Sequence, residues 1–473
     1  MKRTLFAALC ALLAALSFGC GSGDAAAYRN AAPSPAESPP ASPPLPSAGA
    51  APGEPRELSG HLTVKSYWDP GMEVYVQDFT RLHPGVTIDL RQFDGEGGLS
   101  FDDYVTQTAV ELMAGEGADV VDVAGMAVYQ YAKSGVFCDL YPLMDADPDF
   151  RREDYYTNIF EGKEFQGALY SMPCAFLYDM VCASKPLLEQ ARLQLPDALD
   201  YQEMLRLYQK VLAGVDSSPR MLPGLDYTTF FWYEFPEYYD PETRAARFLS
   251  PEFLRYLRLT KELIHPAEES DLTRVTNDDS FLKEDYLFCR FDVTGGTDLY
   301  FFLYDLPNVT GLVPMVSSSG KAYFRTTREY AIPSSSGQKE LAWEFIKFYI
   351  GEKEVPDDLD PEYAQRYYRS YIPFVPINKA NFFQGFRFAY QYTLPRQLDD
   401  PDTRWRDGDR DRAVEEALER IHSWNQQRNA EQAEGEIYGL LCQDLDRYYR
   451  LDLLTPEETA RRMQDRMTIF LQE

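Results

Sequence analysis

Histidines, cysteines and paired carboxylates are the side chains that most often do chemistry, and in this chain their spacing is unhelpful. The four histidines stand at 61, 83, 265 and 422. None lies in a His-Glu-x-x-His pattern, and none has a second Cys or His at metal-ligand spacing. There is no Gly-x-Ser-x-Gly elbow and no phosphate loop. Asp145-Ala146-Asp147-Pro148-Asp149 begins like a calcium loop. Phe150 then stands where that loop needs glycine and Tyr156 where it needs a bidentate glutamate, so the stretch reads as a solvated turn. Glu234 and Glu237 could serve as acid and base, but with 75 acidic residues such pairs say little. Of the seven cysteines, Cys10 and Cys20 lie in the N-terminal leader region. Cys138, Cys174, Cys182, Cys289 and Cys442 remain, at spacings that match no zinc site. Cys174 and Cys182 could pair if they sat on neighbouring strands; buried thiols are the better reading. No enzyme, metal or cofactor is expected.

The elements around these residues follow from periodicity. His61 to Trp68 alternates and is rich in β-branched and aromatic residues, which predicts a strand. Met72 to Leu82 has helical apolar spacing and ends at His83-Pro84-Gly85. Val86 to Arg91 is a second strand, Tyr104 to Met113 a second helix, and Asp119 to Val123 a strand apolar enough to be buried on both faces. Strands alternating with helices predict an α/β fold with a parallel sheet. About 410 residues beyond residue 60 suggest two or three domains. Losing Lys2 and Arg3 leaves 44 basic residues against 75 acidic ones, a net charge of −31. Such a chain is soluble and ill suited to nucleic acid, which needs clustered Lys and Arg.

Seven local phrases, in order, resemble the extracellular solute-binding proteins of ABC importers, in particular the large sugar-binding group. The first runs from the opening strand through helix 72–82 to the His83-Pro84-Gly85-Val86 turn. The second is Gly117-Ala118-Asp119-Val120-Val121-Asp122, followed by Ala124-Gly125-Met126. The third spans Tyr131 to Leu143. The fourth leads from Gly167 to Pro173 and into Leu177-Tyr178. The fifth is Ala246 to Phe253, where Ser250 can cap, Pro251 suits the first helical position and Glu252 favours the positive helix end. The sixth is Tyr330 to Ile350, and the seventh is Pro373 to Lys379. The resemblance covers nearly all of 60–473. It implies an α/β, two-lobed periplasmic-binding-protein-like fold (type II) with a ligand cleft between the lobes. Lobe one would comprise 60–172 plus 323–372, and lobe two 173–322 plus 373–473, with a charged, Tyr-rich insertion at 353–372. The implied partners are a small solute, a carbohydrate or oligosaccharide, and membrane permease subunits; the receptor itself is expected to be a monomer. A peptide, a polyamine or another small solute is the alternative, as is an enzymatic or adhesive surface lipoprotein on the same fold.

A sugar presents flat apolar faces ringed by hydroxyls, so its site wants aromatic platforms beside hydrogen-bonding side chains. Open α/β sheets bind ligands at strand ends. The residues that combine these properties are Trp68 and Asp69 after the first strand; Gly125, Met126 and Tyr129 after the third; Tyr178 and Asp179 at the crossover; Trp232, Tyr233 and Glu234 in the densest aromatic stretch; Gly296, Thr297 and Asp298 after the strand 286–293; and Arg325 and Tyr330 near the return crossover. The resemblance places ligand contacts at these positions without fixing residue identity. Asp69 also reads as a cap for helix 72–82.

The N-terminus predicts export. Lys2 and Arg3 precede an apolar run from Leu5 to Leu16 and a small-residue exit around Cys20, so 1–19 reads as a signal peptide. The run is too short to cross a bilayer. Leu16-Ser17-Phe18-Gly19-Cys20 resembles a bacterial lipobox with its leucine displaced by one place. The Pro-, Ala- and Ser-rich stretch 20–59 reads as a disordered linker. The expected product is exported and held on the outer face of the cell membrane by lipid at Cys20. Mass spectrometry of the native N-terminus checks this: an acylated Cys20 is expected, and cleavage elsewhere or an unmodified Cys20 removes the anchor.

Overall fold

The fold was analysed in a computed structural model, which describes residues 57–67, 69, 71–93, 100–222, 227–263, 286–295, 309–353, 374–388, 409–428, 430–431 and 435–472. The chain opens with β1 (Ser59–Tyr67), α1 (Met72–Leu82), β2 (Gly85–Phe93), α2 (Phe101–Met113) and β3 (Val120–Asp122). The His83-Pro84-Gly85 break ends α1, as its residue types require. β2 pairs in parallel with β1, from Ser59 opposite Gly85 to Tyr67 opposite Phe93, and β3 pairs in parallel on the other side of β1. Ser100 and Asp103 form a capping box at the start of α2, each side chain bonding the other's backbone. Three short helices, α3 (Val128–Lys133), α4 (Tyr141–Ala146) and α5 (Thr157–Lys163), lead to β4 (Met172–Ser184).

β4 is the axis of the molecule. Its thirteen residues are all buried. Beyond it come α6 (Lys185–Ala191), α7 (Tyr201–Gly214), α8 (Thr228–Glu234), the small hairpin β5 (Tyr239–Asp240) and β6 (Ala245–Ala246), and α9 (Pro251–Leu263). The Ser250 hydroxyl accepts from the Phe253 amide at 3.2 Å, so α9 is capped as expected. Then follow β7 (Phe288–Val293), β8 (Val309–Pro314), β9 (Tyr323–Ala331) and α10 (Lys339–Ile350). The last elements are β10 (Val375–Pro376), α11 (Lys379–Phe388), α12 (Asp409–Gln427), β11 (Ala430–Glu431), α13 (Gly435–Tyr449) and α14 (Pro456–Gln472).

The main sheet runs β10-β4-β9-β3-β1-β2. The first half of β4 pairs antiparallel with β9, Met172 opposite Tyr330 and Leu177 opposite Arg325. Its second half changes partners and pairs with β7 and β8. One strand therefore belongs to two sheets. Two cores follow. The first gathers Leu62, Val64, Phe79, Phe176, Phe345 and Ile346 under α1 and α10; the second gathers Val181, Ala183, Leu207, Phe231, Phe253 and Tyr256. The C-terminal helices α13 and α14 supply Leu441, Leu445 and Met463 to the second core. Helices α11 and α12, grouped with lobe two in the sequence reading, instead send Phe382, Phe386, Leu418 and Ile421 into the first.

Two further expectations change. Asp147 is no solvated turn residue: it accepts from the Trp343 indole at 2.9 Å and from Lys347 at 2.6 Å, which ties its turn to α10. Cys174 and Cys182 share β4, so eight residues of extended chain, roughly 26 Å, separate them and they cannot pair. Phe382 is fully buried among Tyr156, Phe383, Phe386 and His422. Phe382→Ala is expected to destabilise the protein by about 3–5 kcal/mol, read as a lower denaturant midpoint; an unchanged midpoint would mean that α11 is dispensable to the core.

Candidate ligand site at the crossover strands

β4 carries a single charged residue, Asp179, at the point where it changes partners. A buried carboxylate must be compensated, and four side chains gather on it. The Tyr233 hydroxyl, from α8, donates to Asp179 Oδ2. Arg325 Nη2, from β9, lies 3.9 Å from Asp179 Oδ1 and donates to Asp292 Oδ2 at 3.3 Å. Asp292 stands directly opposite Asp179 in the β4–β7 ladder. Arg290, two residues away on β7, adds its charge. Burial pushes Asp179 upward, but Arg290, the hydrogen bond with Asp292, Arg325 and Tyr233 together hold it well below the usual carboxylate range. Burial and the neighbouring Asp179 charge push Asp292 up to about 7. Within the pair Asp179 is therefore the carboxyl held toward its charged form and Asp292 the one pushed toward its neutral form. Asp179 is 3% exposed, whereas Arg325 and Asp292 are 27% and 21% exposed. The cluster is buried at its base and open at its rim. Arg325 Nε is buried and meets no hydrogen-bond acceptor among the described residues.

A second polar cluster lies five residues further along β9, roughly 17 Å away. Asp69 is buried at the end of β1. Its Oδ2 accepts from Tyr330 at 3.1 Å and Tyr349 at 2.7 Å, and Arg328 Nε lies 3.5 Å away. Asp69 does not cap α1 from the N-cap position, which is Gly71; its Oδ1 accepts the Gly71 amide at 3.0 Å in a tight turn. Asp122 ends β3 and accepts from the Ala124 and Tyr67 amides at 3.1 and 3.3 Å. Burial pushes Asp122 up to about 7, against the pull of Arg328 and those two amides. With Asp69 1% and Arg328 13% exposed, this cluster is sealed.

The structure therefore brings Asp179, Tyr233 and Arg325 into one cluster, and Asp69 and Tyr330 into another. It does not add the remaining described candidates to either. Tyr178 is fully buried, its hydroxyl donating to Asn425 at 2.8 Å and its ring 4.2 Å from the Arg428 guanidinium. Met126 packs in a small core with Val121 and Phe137. Gly125 has φ +81°, and a Cβ there would fall 2.9 Å from the Phe101 ring, so the position demands glycine for its turn. Tyr129 packs on Phe165 and Phe470. Trp232 packs on Phe231 and Tyr438. Glu234 is buried and accepts from the Ser318 amide and hydroxyl at 2.7 and 2.8 Å; burial pushes it up to about 7. Trp68, Gly296, Thr297, Asp298 and Cys20 lie outside the described residues. Sequence reasoning missed Asp292, Arg290, Arg328 and Asp122. Only Asp122 left a signal, in the Asp122-Val123-Ala124-Gly125 turn. Among the described residues no group of three or more His, Cys, Asp and Glu is placed to hold a metal, and no helix is long and apolar enough to cross a membrane.

Comparison with known proteins agrees with a two-sheet, two-core α/β molecule. The family model of bacterial extracellular solute-binding proteins matches residues 65–356, and the chain belongs to that family. Its fold is that of the two-lobed solute-binding proteins. The sugar-binding protein MalE from Xanthomonas citri is similar at a TM-score of 0.57 and 14% identity, over 87% of this chain and 97% of that one. A family 1 extracellular solute-binding protein from Alicyclobacillus acidocaldarius gives 0.54 and 13%, over 88% and 99%. An ABC substrate-binding protein from Listeria monocytogenes, solved in complex with cycloalternan, gives 0.50 and 16%, over 88% and 99%. No curated protein matches the chain.

The electrostatics set a pH dependence. Asp122 has a folded pKa near 7, above its unfolded value. Its contribution to stability is complete below about pH 4 and is lost as pH rises through 7, and a three-unit shift caps the effect at about 4 kcal/mol. Asp122→Asn is expected to flatten the fall in melting temperature between pH 4 and 7.5. Parallel curves for the two proteins would show that Asp122 does not titrate in that window.

Proposed function

We propose that this chain is the extracytoplasmic solute receptor of an ABC importer. In this reading it takes a carbohydrate between its two lobes, closes about its hinge strands and is tethered by a lipid on Cys20. The observation that carries the ligand assignment is the Asp179–Asp292–Arg325–Tyr233 cluster. It offers fixed donors and acceptors at the rim of the strands that join the two cores, with one guanidinium N–H that meets no acceptor among the described residues. Vicinal sugar hydroxyls suit such an array, because each can accept from the arginine and donate to a carboxylate. Relatives of the same fold support the class: the Listeria monocytogenes protein is solved with cycloalternan, and a receptor from Streptomyces glaucescens, at a TM-score of 0.52, with acarbose. The acidic chain does not make this cluster a cation site, since Arg290 and Arg325 balance its two carboxyl groups.

The lobes we assign gather the described residues of 57–172 and 324–428 mainly round the first core and those of 185–323 and 435–472 mainly round the second, with β4 running through both. A ligand bridging them would select the closed state, which the permease reads. A thermal-shift screen of the mature chain against oligosaccharides, peptides and polyamines tests the class. A ligand at a hundredfold excess over its dissociation constant stabilises by about 2.7 kcal/mol. A shift from an oligosaccharide is expected; shifts only from peptides or polyamines overturn the carbohydrate reading. Arg325→Gln is expected to weaken that ligand by roughly 10- to 150-fold, the worth of a hydrogen bond to a charged group, while circular dichroism stays native. Unchanged affinity would move the site elsewhere.

A further inference from the structure

We propose that Cys182 and Cys289 are a reversible dithiol–disulfide couple that staples β4 to β7. The two residues are direct antiparallel partners in the ladder, so their side chains leave the same face of the sheet. Cys182 Sγ already lies 3.5 Å from the Cys289 carbonyl oxygen, and the two thiols hydrogen-bond to each other. The Ser184 amide donates to the Leu287 carbonyl at 2.8 Å. Cys182 and Cys289, two residues along, therefore form a pair of the wider, hydrogen-bonded kind, with Cα atoms about 5.5 Å apart. That separation falls within the range disulfides span, while the Cβ atoms of such pairs stand at or beyond its outer edge. A bond formed here carries strain, and strained disulfides are the reducible ones. Among the described residues no other cysteine has this relation: Cys174 lies eight residues away on the same strand, Cys138 contacts Pro333 and Ser334, and the Cys442 thiol bonds the Gly439 carbonyl of its own helix.

The chemistry needs an oxidant, and a small-molecule disulfide such as oxidised glutathione serves. Cys289 is the more exposed of the two, whereas its hydrogen bond with Cys289 and then burial push the Cys182 thiol up. Cys289 loses its proton and its thiolate attacks one oxidant sulfur. The oxidant S–S bond breaks, one thiolate leaves, and a mixed disulfide remains on Cys289. Cys182, deprotonated in turn, attacks the Cys289 sulfur and releases the second oxidant thiolate. Two protons and two electrons pass from the cysteines to the oxidant, which becomes two thiols. The family's extracellular setting is where an oxidant of this class would be met.

The test uses the purified mature chain, so it depends on neither its location nor its ligand. Native protein is equilibrated with oxidised glutathione, denatured, and its thiols titrated. A fall of two thiols is expected, with a proteolytic fragment linking Cys182 to Cys289, a rise in melting temperature and full reversal by reductant. In Cys289→Ser and in Cys182→Ser the internal bond should be absent and any oxidation should stop at a mixed disulfide. An unchanged thiol titre in the wild-type chain, or a fragment linking a different pair, overturns the proposal.

Discussion

A strand buried along its whole length has to find a partner for every amide and carbonyl, because an unpaired backbone group away from water costs as much as a lost hydrogen bond. β4 is such a strand, thirteen residues long. No single neighbour covers it. β9 and β10 pair its first half, β7 and β8 its second. The two cores, the change of partner near Tyr178 and the return of the chain through β9 all follow from meeting that requirement. The position of Asp179 follows too. As the only charge on β4, it sits where the partner changes, and arginines from both neighbouring strands can reach it.

The two polar clusters show how differently one solution can be used. Asp69 and Asp122 share Arg328 in a sealed setting, with tyrosine hydroxyls and backbone amides completing their shells. Ion pairs so enclosed repay little of their desolvation cost, and their value is in fixing the ends of β1 and β3. Asp179 and Asp292 have two arginines between them and an open rim. If the rim takes the ligand proposed above, its charges are already oriented by neighbours that do not have to move. Preorganisation of this kind is what lets a polar site bind with affinity instead of merely tolerating its own charges.

Much of this was legible in the chain. Helix 72–82 and the strands on either side of it stand where periodicity and His83-Pro84-Gly85 put them, because local signals dictate them. The candidate residues fared according to what surrounds them. Asp179 and Arg325 converge because both stand at the crossover strands, and Tyr233, chosen for its aromatic stretch, is brought to them by α8. Trp232 and Tyr129 sit on short helices, and a helix of six or seven residues shows too little period to reveal which face is buried. Asp292 and Arg328 were invisible because each lies on a strand whose partner could not be named from sequence. Their burial and their charge partners exist only once β7 faces β4 and β9 faces β3. Helices α11 and α12 illustrate the same limit: their amphipathic faces say that they pack, not on which core.

The C-terminal helix shows how the second core is closed away from β4. The last carbonyls of any helix lack internal partners, and that end carries partial negative charge. At the end of α14, the carbonyl of Phe470 accepts from Gln130 at 2.5 Å and that of Leu471 from Lys133 at 3.2 Å, both from α3. Tyr129 packs its ring on Phe470 beside them. These hydrogen bonds are each worth about 0.5–1.5 kcal/mol, far less than the ladder along β4. Tyr129 and Ala132 of α3 and Met463, Met467 and Leu471 of α14 belong to one buried cluster, so these bonds fasten two parts of the second core to each other.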